Sequence, residues 1–377
     1  MVNDLRLTGL IDEARLIAWL DAHVPELGDG PLVARLISGG QSNVAIGIDR
    51  GGPHAVLRRP PEQAPPDSEG GMAREARILK ALNQTDVPHP HLYGYCGDQD
   101  VLGATFYVMA YIEGWSATIT ADGATFTPPF DEGPDQHYLA YELVRGLALL
   151  ANVDHQAVGL GDFGRPDGFL DRQVDRWLNR FKSYPMRYPK YEARVIPEMD
   201  YVAQWLREHQ PAGAGVGIMH GDYAPSNVMF AHRPPARLLS ILDWELATIG
   251  DPMLDLGGLL INFRDEGRLD EVPQASYLDA TRFPTRRRLA AYYAELTGRD
   301  VSALDYYIVL AMFRYACLVE YKVAEAAMGI GTPEKGQWFA RTVLGLFAGA
   351  KEIAQRSASR RSVWKGAAIR SADIHLR

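Results

Sequence analysis

The spacing of apolar residues over the first hundred positions is helical at first and then strand-like. An apolar stripe at helical spacing predicts a helix over residues 11–23. Three short apolar runs, separated by glycine-containing turns, predict antiparallel strands at 32–37, 44–48 and 55–59. A stretch rich in proline, glycine and acidic residues predicts a loop over 60–71. The first part of the chain is therefore expected to build a sheet.

The pattern becomes mostly helical further along the chain. Residues 72–83 carry apolar side chains at helical spacing, and the strongly apolar run 106–112 predicts one more strand. The helices predicted after that strand are 136–151, 171–182, 194–209, 286–297, 302–327 and 334–354. The short strands predicted among them are 217–219, 228–230 and 238–242.

These elements indicate an α+β fold with two lobes. The N-lobe, residues 1–112, is small and rich in strands, and the C-lobe, residues 113–355, is large and mainly helical. Residues 356–377 are rich in Ser, Arg and Lys, which predicts a flexible basic tail. The most apolar helical run, residues 306–321, is interrupted by Arg314 and indicates a buried helix rather than a membrane span.

The composition is that of a globular protein. Hydrophobic residues make up 47% and charged residues 23% of the 377 positions, which excludes disorder as the main state. Lys and Arg number 39 against 47 Asp and Glu, and this net charge of −8 argues against a nucleic-acid partner. The start has no signal-peptide pattern and no stretch is apolar enough for a membrane span, so no membrane partner is expected. With two cysteines only, we expect a cytoplasmic protein.

Residues 159–164, Gly-Leu-Gly-Asp-Phe-Gly, match two known letter patterns without their context. A dinucleotide-binding G-x-G-x-x-G follows a strand and opens a helix, whereas this segment follows a helix and precedes Pro166. A kinase D-F-G comes after the catalytic loop, whereas this one comes well before the candidate loop described next. The segment is therefore predicted to be a structural loop. P-loop chemistry is not indicated, because G-x-x-x-x-G-K-[ST] is missing.

The strongest chemical signal is the run H-G-D-Y-A-P-S-N at residues 220–227. Asp222 is followed five residues later by Asn227, the spacing of a kinase catalytic loop. In such a loop the carboxylate orients the attacking hydroxyl and the Asn carbonyl oxygen ligates a metal. Asp243 ends an apolar strand, where it is placed to ligate Mg²⁺. Any one of these residues alone would fit an ordinary turn, but the ordered set is far more specific.

With the segment G-D-P-M-L-D-L around Asp255, these residues resemble the aminoglycoside phosphotransferase and choline kinase superfamily. That superfamily has a bilobal, protein-kinase-like fold, and the resemblance covers most of the chain. It implies transfer of the γ-phosphoryl group of ATP to a hydroxyl of a small molecule, with ATP and Mg²⁺ as cofactors. It also implies that Asp222 is the catalytic base and that Asn227 and Asp243 are the Mg²⁺ ligands. His220 and Asp255 would support the catalytic loop.

The same resemblance implies a nucleotide site in the N-lobe. Glycines between the first two predicted strands would let backbone N–H groups approach phosphates, and neighbouring polar side chains would add donors. The residues concerned are Gly39, Gly40, Ser42 and Asn43. The strand 106–112 resembles the hinge that binds the adenine edge. The residues expected there are Met109, Ala110, Tyr111 and Ile112.

One position of the nucleotide site departs from the family. The V-A-I-K strand of kinases corresponds to residues 55–58, so Arg58 stands where lysine is usual. Strand alternation puts Val56, which should roof the adenine, on the same face as Arg58. Arginine can hold phosphates bidentately but is not equivalent to lysine, which leaves the effect on activity open. Glu75 on the following helix is the expected partner of Arg58.

A finer resemblance concerns the acceptor. Segments 57–61, 158–164 and 242–252 resemble the kinase domain that is joined to some acyl-CoA dehydrogenases. That branch is associated with phosphorylating hydroxyacyl-CoA thioesters, so the resemblance implies a CoA thioester as the small-molecule acceptor. A polyanionic thioester needs basic groups. Three arginines spaced by four residues would share one helix face and form the acceptor wall. They are Arg172, Arg176 and Arg180.

Two alternatives stay open. A true aminoglycoside phosphotransferase would bind a polycation through carboxylates. The candidates for that role are Asp265, Glu266, Asp270 and Glu271. A non-catalytic nucleotide-binding pseudokinase is supported only by Arg58. The choice between ATP and GTP and the oligomeric state are not determined by the sequence.

Overall fold

The computed structural model describes Leu7 and residues 9–39, 43–61, 68–120, 123–132, 135–213, 215–265 and 278–365. The chain divides into two compact units. Unit 1 comprises Met1–Gly114, Gln156–Leu160 and Leu239–Ala247, and unit 2 comprises the remainder of the chain. The predicted α+β class is confirmed, with a mainly antiparallel sheet in unit 1 and mainly helices in unit 2.

The strands are β1 (Val33–Gly39), β2 (Val44–Asp49), β3 (Ala55–Arg59), β4 (Leu92–Cys96), β5 (Phe106–Ala110), β6 (Thr118–Thr120), β7 (Gly123–Thr125), β8 (Gly217–Met219), β9 (Val228–Phe230), β10 (Leu238–Ile241) and β11 (Thr248–Gly250). The helices are α1 (Glu13–His23), α2 (Ser68–Leu82), α3 (Gln99–Leu102), α4 (Gln136–Ala151), α5 (Gln173–Lys182), α6 (Tyr184–Arg187), α7 (Met199–Glu208), α8 (Met253–Leu260), α9 (Arg286–Thr297), α10 (Leu304–Ala327) and α11 (Pro333–Lys365).

Unit 1 is built on a five-stranded sheet in the order β1-β2-β3-β5-β4. The three strands predicted between residues 32 and 59 are confirmed as antiparallel neighbours. Leu57 of β3 points into the core under α1, whereas Arg58 lies on the opposite face. Strand β4 was not predicted, because it has only five residues and Gly94 interrupts its apolar pattern. Its pairing with β5 is irregular at that glycine.

The later segment Leu239–Ala247 joins unit 1 through hydrogen bonds to its backbone groups. The N–H of Ile241, at the end of β10, donates to the carbonyl oxygen of Pro88 at 2.8 Å. Arg74 of α2 donates to the carbonyl oxygen of Ala247 at 3.0 Å. The first stretch of unit 1 ends at Gly114, two residues beyond the predicted N-lobe. A division of the chain into contiguous lobes misses the later segments because long-range contacts leave no local pattern.

Unit 2 surrounds the long apolar helix α10. This helix packs against α5, α7, α8 and α11, and its residues from Leu304 to Phe313 are all buried. Helices α4 and α9 have the predicted bounds, whereas the short helix α8 was not predicted. Helix α11 continues to Lys365, so the first residues of the predicted flexible tail are helical. Residues 350–365 contain no glycine or proline, which lets the helix continue.

The segment 159–164 forms turns, as predicted for a structural loop. Leu160 and Phe163 are fully buried, which explains the apolar letters inside the glycine pattern. A correction concerns the loop predicted over 60–71, because α2 already begins at Ser68. Residues 62–67 of that loop and 366–377 of the predicted tail lie outside the described residues. None of the helices in the described ranges has both the length and the apolar character needed to cross a membrane.

Gly257 allows α8 to pack closely on α10. A Cβ atom at Gly257 would lie 2.6 Å from the backbone of Tyr307, whereas a Cβ at the adjacent Gly258 would meet no atom within 4 Å. We predict that Gly257→Ala destabilises unit 2 by about 1–3 kcal/mol through overpacking. The matched Gly258→Ala should raise stability by roughly 0.5–1 kcal/mol, because alanine favours the helix. Urea unfolding of both variants checks this, and equal midpoints would contradict the packing of α8 on α10.

Candidate active site

The candidate catalytic loop connects two short strands of unit 2. Strand β8 is fully buried, and the loop from His220 to Asn227 follows it directly. The side-chain amide of Asn227 donates to the backbone carbonyl of Asp222 at 2.8 Å and to its carboxylate at 3.0 Å. The Asp222 side chain is exposed. The loop therefore presents a carboxylate to solvent and holds it beside the Asn that the sequence analysis paired with it.

Asp255, in the first turn of α8, braces this loop. Its two carboxylate oxygens accept the backbone N–H groups of His220 at 2.6 Å and of Gly221 at 3.0 Å. Burial raises the pKa of the Asp255 carboxyl, while His220, Arg314 and the two N–H groups act in the opposite direction. A bidentate carboxylate fixes two consecutive peptide groups, so the backbone that leads into Asp222 has one orientation.

His220 is fully buried and serves the loop from inside. Its Nδ1 accepts the backbone N–H of Asp222 at 3.2 Å, which places the ring proton on Nε2. Its ring packs edge-on against Tyr223, whose hydroxyl donates to the carbonyl oxygen of Leu143 at 2.8 Å. With these contacts, His220 supports the loop from inside and does not face solvent.

The far end of the loop is held by residues just after Gly114. The backbone of Trp115 exchanges two hydrogen bonds with Phe230, at 3.0 and 2.7 Å. The hydroxyl of Ser116 donates to the carbonyl oxygen of Val228 at 2.6 Å. This bridge fixes the strand that begins directly after Asn227.

Arg314 contacts the loop as well, and sequence reasoning did not select it. Its guanidinium donates to the carbonyl oxygen of Gly221 and lies 5.3 Å from the centre of the Trp177 ring. The available signal was a lone charge inside the apolar run of α10, and such a charge by itself argues only against a membrane span.

A second cluster of charges lies in unit 1, around Arg58. One guanidinium nitrogen of Arg58 lies 3.5 Å from Glu75 Oε2, and the other lies 3.2 Å from Asp243 Oδ1. The hydroxyl of Tyr107 donates to Glu75 at 2.8 Å, and the amide of Asn43 donates to it at 3.4 Å. The expected pairing of Arg58 with Glu75 is present. Tyr107 was not selected from the sequence, because its β5 segment reads only as an apolar strand.

Burial and charge act in opposite directions in this cluster. Burial disfavours the charged form of Arg58, but Tyr107, Glu75 and Asp243 outweigh it and raise the pKa of the guanidinium. Burial also raises the pKa of the Glu75 carboxyl, against the influence of Arg58 and the Tyr107 hydroxyl. Arg58 is therefore a fixed cation between two carboxyl groups.

Asp243 has an unusual backbone conformation. Its φ of 64° and ψ of 66° lie in the left-handed region, and it is the one non-glycine residue with positive φ among those described. Such a conformation costs about 1–2 kcal/mol for most residues, and Asp and Asn tolerate it best. The turn is stabilised next to Asp243 by the Trp244 indole, which donates to the carbonyl oxygen of Ile241 at 3.0 Å. A strained aspartate held by its surroundings is typical of functional sites.

Val56, Met109 and Ala110 of the predicted nucleotide site lie in strands of the unit 1 sheet. Val56 of β3 is paired with Met109 of β5, so the two side chains share one face. Gly39 pairs with Val44 in the β1–β2 ladder, while Gly40 and Ser42 lie outside the described residues. Two backbone groups of the predicted hinge are bonded within unit 1. The N–H groups of Ala110 and Tyr111 already donate to the carbonyl oxygens of His91 and His54, at 2.8 and 3.0 Å.

The three arginines proposed for the acceptor wall differ in their surroundings. Arg172 is occupied by the preceding loop, because it donates to the carbonyl oxygens of Asp167 and Arg165. Arg176 and Arg180 are exposed on α5, one helical turn apart. Four aromatic residues on or near this helix are buried. They are Trp177, Phe181, Tyr184 and Tyr191.

Asp243 and Asn227 offer too few ligands for a metal site built from protein groups alone, but they suit Mg²⁺. The described residues contain no group of three or more His, Cys, Asp or Glu side chains that could hold a metal. Mg²⁺ is usually bound by one or two protein oxygens together with substrate phosphates and water. Asp243 offers a carboxylate in unit 1, and Asn227 in unit 2 uses its nitrogen as donor, which leaves its carbonyl oxygen for a cation. Each residue thus offers an oxygen of the kind that Mg²⁺ prefers as a ligand.

Comparison with known proteins gives consistent matches. The profile of the phosphotransferase enzyme family (APH) matches residues 33–292. Acyl-CoA dehydrogenase family member 11 of Gallus gallus is 29% identical over 338 residues, which cover 88% of this chain and 42% of that protein. The chain thus spans less than half the length of the curated relatives it matches.

Solved structures of related proteins have a similar fold. A Ralstonia eutropha JMP134 protein described as an aminoglycoside phosphotransferase has a TM-score of 0.73 and 29% identity, covering 90% of this chain and 98% of that one. Choline kinase from Cryptosporidium parvum Iowa II has a TM-score of 0.62 at 10% identity, covering 94% and 100%. The predicted kinase-like fold is confirmed. The chain therefore belongs to the phosphotransferase enzyme family and has the kinase-like fold of small-molecule phosphotransferases that use ATP.

Proposed function

We propose that the protein transfers the γ-phosphoryl group of ATP directly to a hydroxyl of a small-molecule acceptor, with Asp222 as the catalytic base. One observation carries the proposal. The exposed carboxylate of Asp222 stands on a loop whose two preceding peptide groups are both bound by the buried Asp255. A carboxylate held in this way can orient an acceptor hydroxyl, and positioning supplies much of the rate in phosphoryl transfer.

The remaining roles in the loop follow from the same pattern. We assign Asn227 and Asp243 as the Mg²⁺ ligands, with His220 and Asp255 as the supports of the loop. When bound, Mg²⁺ neutralises charge on the phosphates. Asn227 has a second role, because its amide holds the Asp222 carboxylate.

In unit 1 we assign Arg58 to the α- and β-phosphates and Glu75 to its orientation. Val56 and Met109 would pack on the adenine, with Tyr111 beside them. Because the N–H groups of Ala110 and Tyr111 are used within the sheet, the Ala110 carbonyl oxygen and the Ile112 N–H are the hinge groups that we propose for the adenine edge. The turn with Gly39, Gly40, Ser42 and Asn43 is assigned to the phosphates.

For the acceptor we propose a hydroxyacyl-CoA. The support is the similarity to relatives named acyl-CoA dehydrogenases and the exposed pair Arg176 and Arg180, which would favour an anionic substrate. Arg172 is withdrawn from the acceptor wall, because its guanidinium holds backbone carbonyls.

The aminoglycoside alternative is supported by the description of the Ralstonia eutropha protein. Its cation-binding carboxylates are less well supported. Asp265 is buried and lies 3.6 Å from Arg286, whereas Glu266, Asp270 and Glu271 lie outside the described residues. The pseudokinase alternative is less well supported, because Arg58 keeps the carboxylate partner Glu75 that a kinase site requires.

Replacing Asp222 tests the proposed base. We expect Asp222→Ala to reduce phosphoryl transfer by roughly 10²–10⁴-fold, because the hydroxyl loses its orienting carboxylate. Binding of Mg-ATP should change little, since Asp222 is assigned to the acceptor and not to the nucleotide. ADP release and calorimetric titration with a non-hydrolysable ATP analogue measure the two effects. Transfer that survives in Asp222→Ala would show that another group is the base.

Replacing Arg58 tests the departure from lysine. A lysine is a point charge and cannot reach Glu75 and Asp243 with two separate nitrogens as Arg58 does. We expect Arg58→Lys to weaken Mg-ATP binding several-fold, or by about 1 kcal/mol, and Arg58→Met to weaken it further. An Arg58→Lys variant that binds Mg-ATP more tightly than the wild type would contradict the two-carboxylate role.

Reversing two charges on α5 tests the acceptor wall. The double variant Arg176→Glu/Arg180→Glu should raise KM for a 4-hydroxyacyl-CoA by about tenfold or more, with KM for ATP unchanged. The matched control is Arg341→Glu, which reverses an exposed arginine on α11. Salt titration of ADP release completes the test, because an electrostatic contribution weakens with ionic strength. Equal KM values for the double variant and the control would remove α5 from the acceptor site.

A further inference from the structure

Arg314 is a charged residue in a strongly apolar part of α10. Between Tyr306 and Val319 it is the one charged residue of α10, and the residues around it are among the most buried of unit 2. A guanidinium in such surroundings is costly unless its donors and its charge are matched. The partners of Arg314 therefore indicate why α10 carries it.

Those partners all belong to one small region of unit 2. The guanidinium donates to the carbonyl oxygen of Gly221 and lies over the face of the buried Trp177, 5.3 Å from the ring centre. The negative charges that act on it are those of Asp255 and Asp222, and Arg176 is the cation that acts on it. Arg314 is thus anchored on an indole and directed at the residue before Asp222.

The contact with Gly221 completes a clamp around one residue, whose N–H and carbonyl oxygen are both bound. The N–H of Gly221 donates to Asp255 at 3.0 Å, and its carbonyl oxygen accepts from Arg314. The φ of Gly221 is +86°, a conformation that glycine adopts without strain. The carbonyl of Gly221 shares a planar peptide with the N–H of Asp222, which donates to His220 at 3.2 Å. The peptide that enters Asp222 is therefore bound at both of its polar atoms.

We propose that Arg314 is a positioning residue for the catalytic base: it fixes the Gly221–Asp222 peptide and thereby the direction of the Asp222 carboxylate. This inference rests on the proposed role of Asp222. Arg314 acts through the backbone of Gly221. The ring of Trp177 keeps the guanidinium of Arg314 in place. Loss of the guanidinium should leave the fold intact but let the loop carboxylate sample directions away from the acceptor.

The test compares Arg314→Gln with Arg194→Gln. Arg194 is also a partly buried arginine of unit 2, but it pairs with Glu320 at 2.5 Å and contacts no residue of the catalytic loop in any described bond. Both changes replace a guanidinium by an amide and should lower Tm. For Arg314→Gln we expect kcat with Mg-ATP and a 4-hydroxyacyl-CoA to fall roughly 10²-fold, the scale of a small misplacement of a reacting group. KM for ATP should stay near that of the wild type.

Two further readouts separate positioning from general loss of stability. Amide hydrogen exchange at residues 219–224 should be faster in Arg314→Gln than in the wild type or Arg194→Gln, when compared at equal distance below Tm. Millimolar guanidinium chloride should restore part of kcat to Arg314→Ala and none to Arg194→Ala.

Each outcome decides the inference. Faster exchange in the loop together with a selective loss of kcat supports it. Loop exchange and kcat that match those of Arg194→Gln would show that Arg314 has only a structural role. Amide exchange requires no acceptor, so unchanged exchange overturns the inference even if the wild type fails to phosphorylate the thioester. That failure, with fast loop exchange in Arg314→Gln, would count against the proposed acceptor alone.

Discussion

The candidate active site of unit 2 depends on one buried carboxylate. Asp255 accepts the N–H groups of His220 and Gly221 through its two oxygens, and this pair of bonds fixes the backbone at the start of the candidate catalytic loop. Removing such a group would leave two buried N–H groups without acceptors, at a cost of about 1–3 kcal/mol each. The close contact of Gly257 with α10 then sets where Asp255 stands, because both residues belong to α8.

The cluster around Arg58 in unit 1 also depends on one charged group with two partners, but here the central group is a cation. Arg58 is a fixed cation that contacts two carboxyl groups, Glu75 on α2 and Asp243 after β10. Tyr107 binds the first of them and the strained backbone of Asp243 presents the second. Arginine in place of the usual lysine therefore has a physical role here, because its two terminal nitrogens serve two different partners. The departure from the family is accommodated by the surrounding residues.

Local patterns in the sequence were sufficient for the longer helices, for the first three strands and for the residues that belong to motifs. The alternation in β3 placed Arg58 and Leu57 on opposite faces, and the spacing of the loop brought Asp222 and Asn227 together. Tyr107 and Arg314 were missed for one reason. Both lie in apolar segments, where a single polar group reads as an interruption, and their partners are distant in the sequence. Arg172 was selected from its charge and spacing, but its bonds to carbonyl oxygens of the preceding loop cannot be read from a helical charge pattern.

The chemical identity of the acceptor is the central claim, and analysis of the reaction products tests it most directly. Wild-type protein should be incubated with Mg-ATP and either a 4-hydroxyacyl-CoA or kanamycin, and the products followed by phosphorus NMR. The account predicts a new phosphate ester on the thioester's hydroxyl, formed only when Mg-ATP is present. A phosphate ester on kanamycin and none on the thioester would contradict the account. It would indicate an acceptor site that binds a polycation through carboxylates.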